Sequence, residues 1–311
     1  MRVIRSLSDL TQADRGATAG IGNFDGVHLG HQAVIAAARA CDPAAPLAVV
    51  TFEPHPRQVF APVAPAFRLM TPEARAHRLE KLGVDILFEL PFDAAMRERS
   101  ADAFAREVLV EGLGLTCAAV GADFHFGKGR TGSAETLRDA GADLGFAVQV
   151  VDLVAPHGTE VSSTAIRGAL TAAQPGMAAA MLGHWHRIEG PVIHGHKRGR
   201  ELGYPTANMG LDGLHLPALG VYAVQVRVED GPDAGEYGGV AALGVRPMFG
   251  ENTPNLETFL FDFEGDLYGR QLSVALVEYL RPEAKFDGLE ALITQMDADS
   301  AQARAVLAAL P

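Results

Sequence analysis

Gly22-Asn23-Phe24-Asp25-Gly26-Val27-His28-Leu29-Gly30-His31 is the stretch on which the fold of this chain turns. The apolar residues 21–24 lead into it as a strand, and a helical pattern over about 31–40 leads out. Ligands of open α/β sheets sit beyond the carboxyl ends of the strands, where such a loop lies. Its three glycines permit close backbone approach, and the helix N-terminus supplies N–H donors and the positive end of a dipole. The dipole alone favours a phosphate by about 0.3–1 kcal/mol. His28 and His31 add two imidazole donors. With 11 His and 34 Gly in 311 residues, H-x-G-H is expected roughly 0.04 times by chance. A paired-histidine metal site and two purely structural histidines are the alternatives, but no carboxylate or cysteine stands at a matching helical spacing.

Working outward, strands are predicted over residues 47–52, 84–90, 117–121 and 146–151. Helices are predicted from Thr71-Pro72-Glu73, from Ser100 to about Val110, and over 133–144. This alternation implies a Rossmann-like α/β domain with a parallel sheet covered on both faces. Beyond Trp185 the apolar period changes from 3.6 to 2, with strands predicted over 221–228, 256–263 and 272–279. A long amphipathic helix is predicted over 287–310, with Asp287 as its N-cap. The second half therefore reads as a small antiparallel β-barrel with one terminal helix. Gln174-Pro175-Gly176 breaks the first pattern, and the domains are set at 1–180 and 181–311.

At 311 residues, 48% hydrophobic and 21% charged, the chain can bury full cores and is neither disordered nor fibrous. A formal charge of −12 argues against nucleic acid as a partner. No apolar run nears the roughly 18–20 residues that span a bilayer, and the N-terminus has no signal-peptide core, so no membrane partner is expected. The two cysteines, Cys41 and Cys117, make no disulfide framework or zinc spacing, which points to a reducing cytoplasm. Composition leaves the oligomeric state open.

Other segments carry chemistry. Ser162-Ser163-Thr164-Ala165-Ile166-Arg167 places hydroxyls at a helix start with Arg167 one turn in, a clamp for polyphosphate as well as an ordinary cap. Residues 120–127, with Asp123, Phe124 and Phe126, form a polar-aromatic loop able to flank a planar ligand. The neighbouring Gly121 to Lys128 spacing fails as a Walker A loop. In the second half, residues 195–203 form a basic, glycine-containing loop with Lys197, Arg198 and Arg200, followed by Pro205-Thr206-Ala207-Asn208. Thr206 and Asn208 lie two apart on an extended strand and share a face, offering hard oxygens of the kind magnesium prefers. Leu256-Glu257-Thr258-Phe259 puts a carboxylate into an apolar strand, as a general base or as an exposed strand residue.

Together, residues 22–31, Thr51-Phe52-Glu53-Pro54-His55-Pro56, 121–127 and 162–167 resemble the FMN adenylyltransferase half of prokaryotic bifunctional riboflavin kinase/FAD synthetases. The second half, including Asp266-Leu267-Tyr268-Gly269, resembles the riboflavin kinase domain of that family. The resemblance implies ATP-dependent conversion of riboflavin to FMN, then of FMN to FAD, with Mg²⁺ in both steps. It implies phosphate and ATP contacts from Gly22, Phe24, Gly30, Ser162, Ser163, Thr164 and Arg167, catalytic roles for His28 and His31, and flavin contacts from Asp123 and Phe126. In the kinase half it implies nucleotide contacts from Gly195, Lys197 and Arg200, magnesium ligands Thr206 and Asn208, and Glu257 as base. Ala242-Leu243-Gly244 and Pro247-Met248 depart from the frequent Asn-Ile-Gly and Pro-Thr. Those departures are the one support for a rival, an adenylyltransferase of another substrate with a degenerate kinase. A flavin sensor would need neither a base nor a leaving-group clamp.

Overall fold

Segments crowded with Val, Ile, Leu and Ala form a buried sheet, because strands covered on both faces need no polar alternation. They are Arg2–Ile4 (β1), Thr18–Ile21 (β2), Leu47–Glu53 (β3), Ile86–Pro91 (β4) and Cys117–Gly121 (β5). A small ribbon of His125–Phe126 (β6) and Gly132–Ser133 (β7) follows, and then the edge strand Ala147–Val151 (β8). The computed structural model describes residues 1–155, 160–194, 203–248 and 251–310, with backbone alone at 246–248 and 251–252. Strand order is β1-β4-β3-β2-β5-β8, all parallel. The chain winds one way from β2 to β4 and the other way from β5 to β8, so the topological switch point lies between β2 and β5.

The helices of this half are Leu29–Cys41 (α1), Pro56–Phe60 (α2), Pro72–Lys81 (α3), Ala94–Glu98 (α4), Ala101–Ala103 (α5) and Ala134–Leu144 (α6). The helix expected from Ser100 changes character: Phe104–Gly112 is π-helical, and the Leu113 N–H reaches back five residues to Val108 O. A Cβ at Gly112 would stand 2.9 Å from Glu107 O, so only glycine fits that wider turn. Cys41 and Cys117, 76 residues apart in sequence, are joined in a disulfide, against the expectation that two cysteines signal none. The fold brings the end of α1 to the start of β5, which spacing along the chain does not reveal.

The remainder holds Ser163–Thr171 (α7), Pro175–Leu182 (α8), His186–Pro191 (β9), Ala207–Gly210 (β10), Gly220–Val228 (β11), Gly235–Met248 (β12), Glu251–Leu260 (β13), Gln271–Arg281 (β14) and Leu289–Ala308 (α9). Its antiparallel sheet runs β10-β13-β12-β11-β14-β9. The two edges meet where Ile193 N–H donates to Asn208 O at 2.8 Å, closing a barrel. Val224, Leu243, Leu256 and Leu276 fill it. On the outer face, Ala303, Val306 and Leu307 of α9 cover Ala223, Val240 and Phe261.

Three expectations shift here. Pro175 opens α8 instead of breaking the chain, as a proline at the first helical position can. The strand expected to Phe263 ends at Leu260, where Asp262 turns the chain at φ +56°. The terminal helix is capped by Gly288, one residue after Asp287. By compactness the chain divides into Met1–Ala64 with Pro72–Ser162, and Pro65–Thr71 with Ser163–Pro311.

Candidate functional site

In the first unit the loop after β2 runs into α1 beside the switch point, with the β5–β6 loop on the other side. His28 is the N-cap of α1: its Nδ1 accepts the His31 backbone N–H at 3.3 Å. A neutral ring that accepts at Nδ1 carries its proton on Nε2. His31 stacks on His28 with centroids 3.6 Å apart. Burial, then the neighbouring His28, pushes the His31 imidazole well below the usual histidine range. His31 therefore enters as a neutral ring. His31 Nδ1 is buried without a hydrogen-bond partner among the described residues, a polar atom waiting for a ligand. A Cβ on Gly30 would press to 3.2 Å on the His28 ring, so glycine leaves that ring its place.

The backbone between is strained. Phe24 (φ +52°) and Val27 (φ +43°) are left-handed, and a β-branched residue there is a genuine outlier; Gly26 (φ +89°) occupies the same region without cost. Such strain, of order 1–3 kcal/mol each, persists where surroundings over-determine it. Phe24 and Val27 are fully buried, and Gln32 Nε2 donates to Val27 O at 2.9 Å. Asn23 O accepts from Thr51 Oγ1 at 3.3 Å and from Arg75 Nη1 at 3.4 Å. Arg75, on α3 and 2% exposed, also donates to Glu53 Oε1 and Glu89 Oε2, both at 2.8 Å. A Cβ on Gly22 would stand 3.5 Å from the Phe24 ring. The sequence reading missed Arg75; the available signal was two carboxylates, Glu53 and Glu89, inside apolar strands.

After β5, Asp123 is exposed and its carbonyl accepts from His125 Nδ1 at 2.8 Å, whereas Phe126 is buried in the core. Phe126 belongs to an aromatic row. Phe124 stacks on it at 5.5 Å, Phe104 follows at 5.5 Å, then Phe52 at 6.1 Å, Phe92 at 5.8 Å and Phe60 at 5.8 Å. Phe60 ends the row 69% exposed, which an apolar ring of this size seldom is without a partner. Ser162 immediately precedes α7, whose first turn holds Ser163 and Thr164. Arg167 Nη2 donates to Thr164 Oγ1 and its Nη1 to Phe67 O, both at 3.3 Å. The compact division falls between Ser162 and Ser163.

The second unit carries its residues on strands. Asn208 of β10 stands directly opposite Glu257 of β13, and Ala242 of β12 flanks Glu257 on its other side. Asn208 Nδ2 donates to Thr206 O at 3.3 Å, which turns its Oδ1 the other way. Thr206 and Asn208 border a cleft of about 270 Å³ whose far wall includes Phe263, Asp266 and Tyr268. Tyr204 packs on Phe259 at 4.8 Å, and its hydroxyl donates to Asp297 of α9. Gly195, Lys197 and Arg200 lie outside the described residues, and Met248 is described by its backbone alone. Among the described residues no three His, Cys, Asp or Glu gather to cage a metal. The donors at hand, a threonine hydroxyl and an amide oxygen, suit an ion held mostly by substrate phosphates, which is magnesium's habit.

Comparison with known proteins fits both units. Residues 10–165 match the FAD synthetase family and residues 182–307 the riboflavin kinase family. A bifunctional riboflavin kinase/FMN adenylyltransferase of Pseudomonas fluorescens is 44% identical, covering 99% of this chain and 98% of its own. Those of Haemophilus influenzae and Escherichia coli are 38% and 37% identical, each covering 98% of this chain, with 99% and 97% of their own lengths covered. A crystal structure from Streptococcus pneumoniae, described as a macrolide-efflux protein, superposes with a TM-score of 0.84 at 30% identity over 97% of this chain and 98% of its own. No helix among the described residues is long and apolar enough to cross a membrane.

Proposed function

We propose a division of labour within this chain, which belongs to the bifunctional riboflavin kinase/FMN adenylyltransferase family. The protein is a transferase of flavin cofactor synthesis: it phosphorylates riboflavin to FMN and adenylylates FMN to FAD, with ATP as donor in both steps. Residues 1–180 carry the adenylylation and residues 181–311 the phosphorylation.

In the kinase unit, Glu257 takes the proton from the primary hydroxyl of riboflavin as that oxygen attacks the γ-phosphorus of ATP and the bond to ADP breaks. A positioned base contributes typically 10²–10⁴-fold. Thr206 and Asn208 hold Mg²⁺–ATP, and Gly195, Lys197 and Arg200 enclose its phosphates. The ion neutralises charge on the phosphate oxygens when bound. The observation that carries this reading is the register: Asn208 and Glu257 face each other across β10 and β13, beside the cleft that Thr206 borders.

Adenylylation needs no base, because the FMN phosphate is already an anionic nucleophile. It attacks the α-phosphorus of ATP and pyrophosphate leaves, so alignment and charge stabilisation supply the rate. His28, His31 and the α1 N-terminus, with Gly22, Phe24 and Gly30 shaping the loop, receive the phosphoryl charge. Ser162, Ser163, Thr164 and Arg167 complete the polyphosphate contacts. The flavin ring lies against the loop that carries Asp123, with Phe126 as buried support. Cytoplasm is the proposed location, because both steps draw on its ATP.

Incubation with riboflavin, ATP and magnesium, followed by chromatography of the flavins, tests the reading. FMN should rise first and FAD follow. FAD from added FMN, with riboflavin left untouched, would instead mark the kinase unit as degenerate.

A further inference from the structure

We infer that Asn255 is a positioning residue of the kinase site, a role that rests on the reading of Asn208 and Glu257 given above. Asn255 lies on β13 two residues before Glu257, so both side chains project from the same face of the strand. It is 3% exposed. Its Nδ2 donates to Asn208 Oδ1 at 2.9 Å and faces Glu257 Oε1 at 3.4 Å. One amide nitrogen thus touches the proposed metal ligand and the proposed base together.

The orientation of this amide follows from its neighbours. Asn208 spends its own NH₂ on Thr206 O, which leaves Oδ1 as the atom it turns toward Asn255. Glu257 also turns an oxygen toward Asn255. Two acceptors require a donor between them, so the NH₂ of Asn255 must point inward. Ala242, Glu257's neighbour on β12, contributes a methyl only, and Gly244, opposite Asn255, contributes no side chain. Asn255 therefore brings an amide to a part of the face that β12 leaves bare. Its Oδ1, buried without a partner among the described residues, is an uncompensated cost that a purely structural asparagine would not explain. Removing Asn255 takes a shared donor from Asn208 Oδ1 and Glu257 Oε1, and displacement of a reacting group by about 1 Å can cost 10²-fold.

The test uses the full chain. Asn255→Leu keeps bulk and removes the donor. Riboflavin phosphorylation should lose about 10–100-fold in kcat, as loss of a ligand's supporting partner commonly does, with KM for riboflavin little changed. Calorimetry with magnesium ADP should show one of two nucleotide-binding events weakened and the other unchanged. FAD formation from added FMN should keep the parental rate. On a Glu257→Gln background the same change should add little, since partners acting as a unit are not additive. If Asn255→Leu melts early, the isosteric Asn255→Asp, which sets an acceptor against two acceptors, should reproduce the kcat loss. Parental kcat in either folded variant, or an equal loss on the Glu257→Gln background, would overturn the inference. Glu257→Gln alone separates the two claims: at the parental rate it refutes the base reading, whereas an impaired Glu257→Gln beside an unimpaired Asn255→Leu refutes Asn255 only.

Discussion

The two units present their chemistry in different ways. The first hangs two histidines on a strained loop between a strand and a helix, with Phe24 and Val27 in left-handed backbone. The second sets Asn208, Asn255 and Glu257 on paired strands in ordinary register. A strand sets the face and spacing of its side chains by ladder pairing, whereas a strained loop needs a buried frame beneath it. In the first unit that frame is Arg75 with Glu53, Glu89 and the Asn23 carbonyl. Substitutions should therefore behave differently in the two units.

The largest effect tests whether the sites are independent. Glu257→Gln keeps length and shape but accepts no proton at neutral pH. Riboflavin phosphorylation should fall about 10²–10⁴-fold while adenylylation of added FMN is unchanged. His28→Ala or His31→Ala should do the converse, lowering FAD formation about 10²–10³-fold and sparing FMN formation. Flavin chromatography reads both. Equal loss of both activities in any of these variants, with the fold intact, would merge the two sites into one.

Next comes the frame. Arg75→Met leaves Glu53 and Glu89 without their buried cation, and breaking such a pair costs about 3–5 kcal/mol. The lower end applies, because Arg5 Nε still donates to Glu89 Oε1 at 2.8 Å. Urea denaturation should show that loss, and FAD formation should weaken with it while riboflavin phosphorylation persists. Parental stability in Arg75→Met would mean that the loop holds its strain without the ion cluster.

This contrast also explains what could be read from the chain. Period 2 and the Thr206–Asn208 spacing made the strand-borne site legible, since side chains two apart share a face whatever the tertiary fold. Register was not legible, so Glu257 could not be paired with Asn208, nor Asn255 with either. In the first unit the H-x-G-H loop was legible as a motif, because glycine and histidine spacing is local. Its frame was not, because Arg75, Glu53 and Glu89 converge from α3, β3 and β4. Strand β12 escaped because Gly235-Glu236-Tyr237-Gly238-Gly239 has low strand propensity; pairing on both sides, to β11 and β13, outweighs it.

The smallest effect compares the units through one buried histidine each. Burial first, then His184 and His215, pushes His186 of the second unit down to about 3. In the first unit His31 is pushed well below its usual range by burial and by His28. A histidine whose folded value lies below its unfolded value of 6.5 binds its proton more readily when the chain unfolds. Its stability contribution is therefore complete above pH 6.5 and is lost as pH falls below it. For His186 the loss continues toward pH 3, on the order of 1 kcal/mol per pH unit. His186→Leu, which cannot titrate, should flatten the dependence of urea stability on pH between 6.5 and 5.5 by up to one proton, and His31→Ala should do so separately. If His186→Leu leaves the slope of the parental protein unchanged, His186 binds its proton as readily in the folded chain as in the unfolded one, and its burial does not keep it neutral.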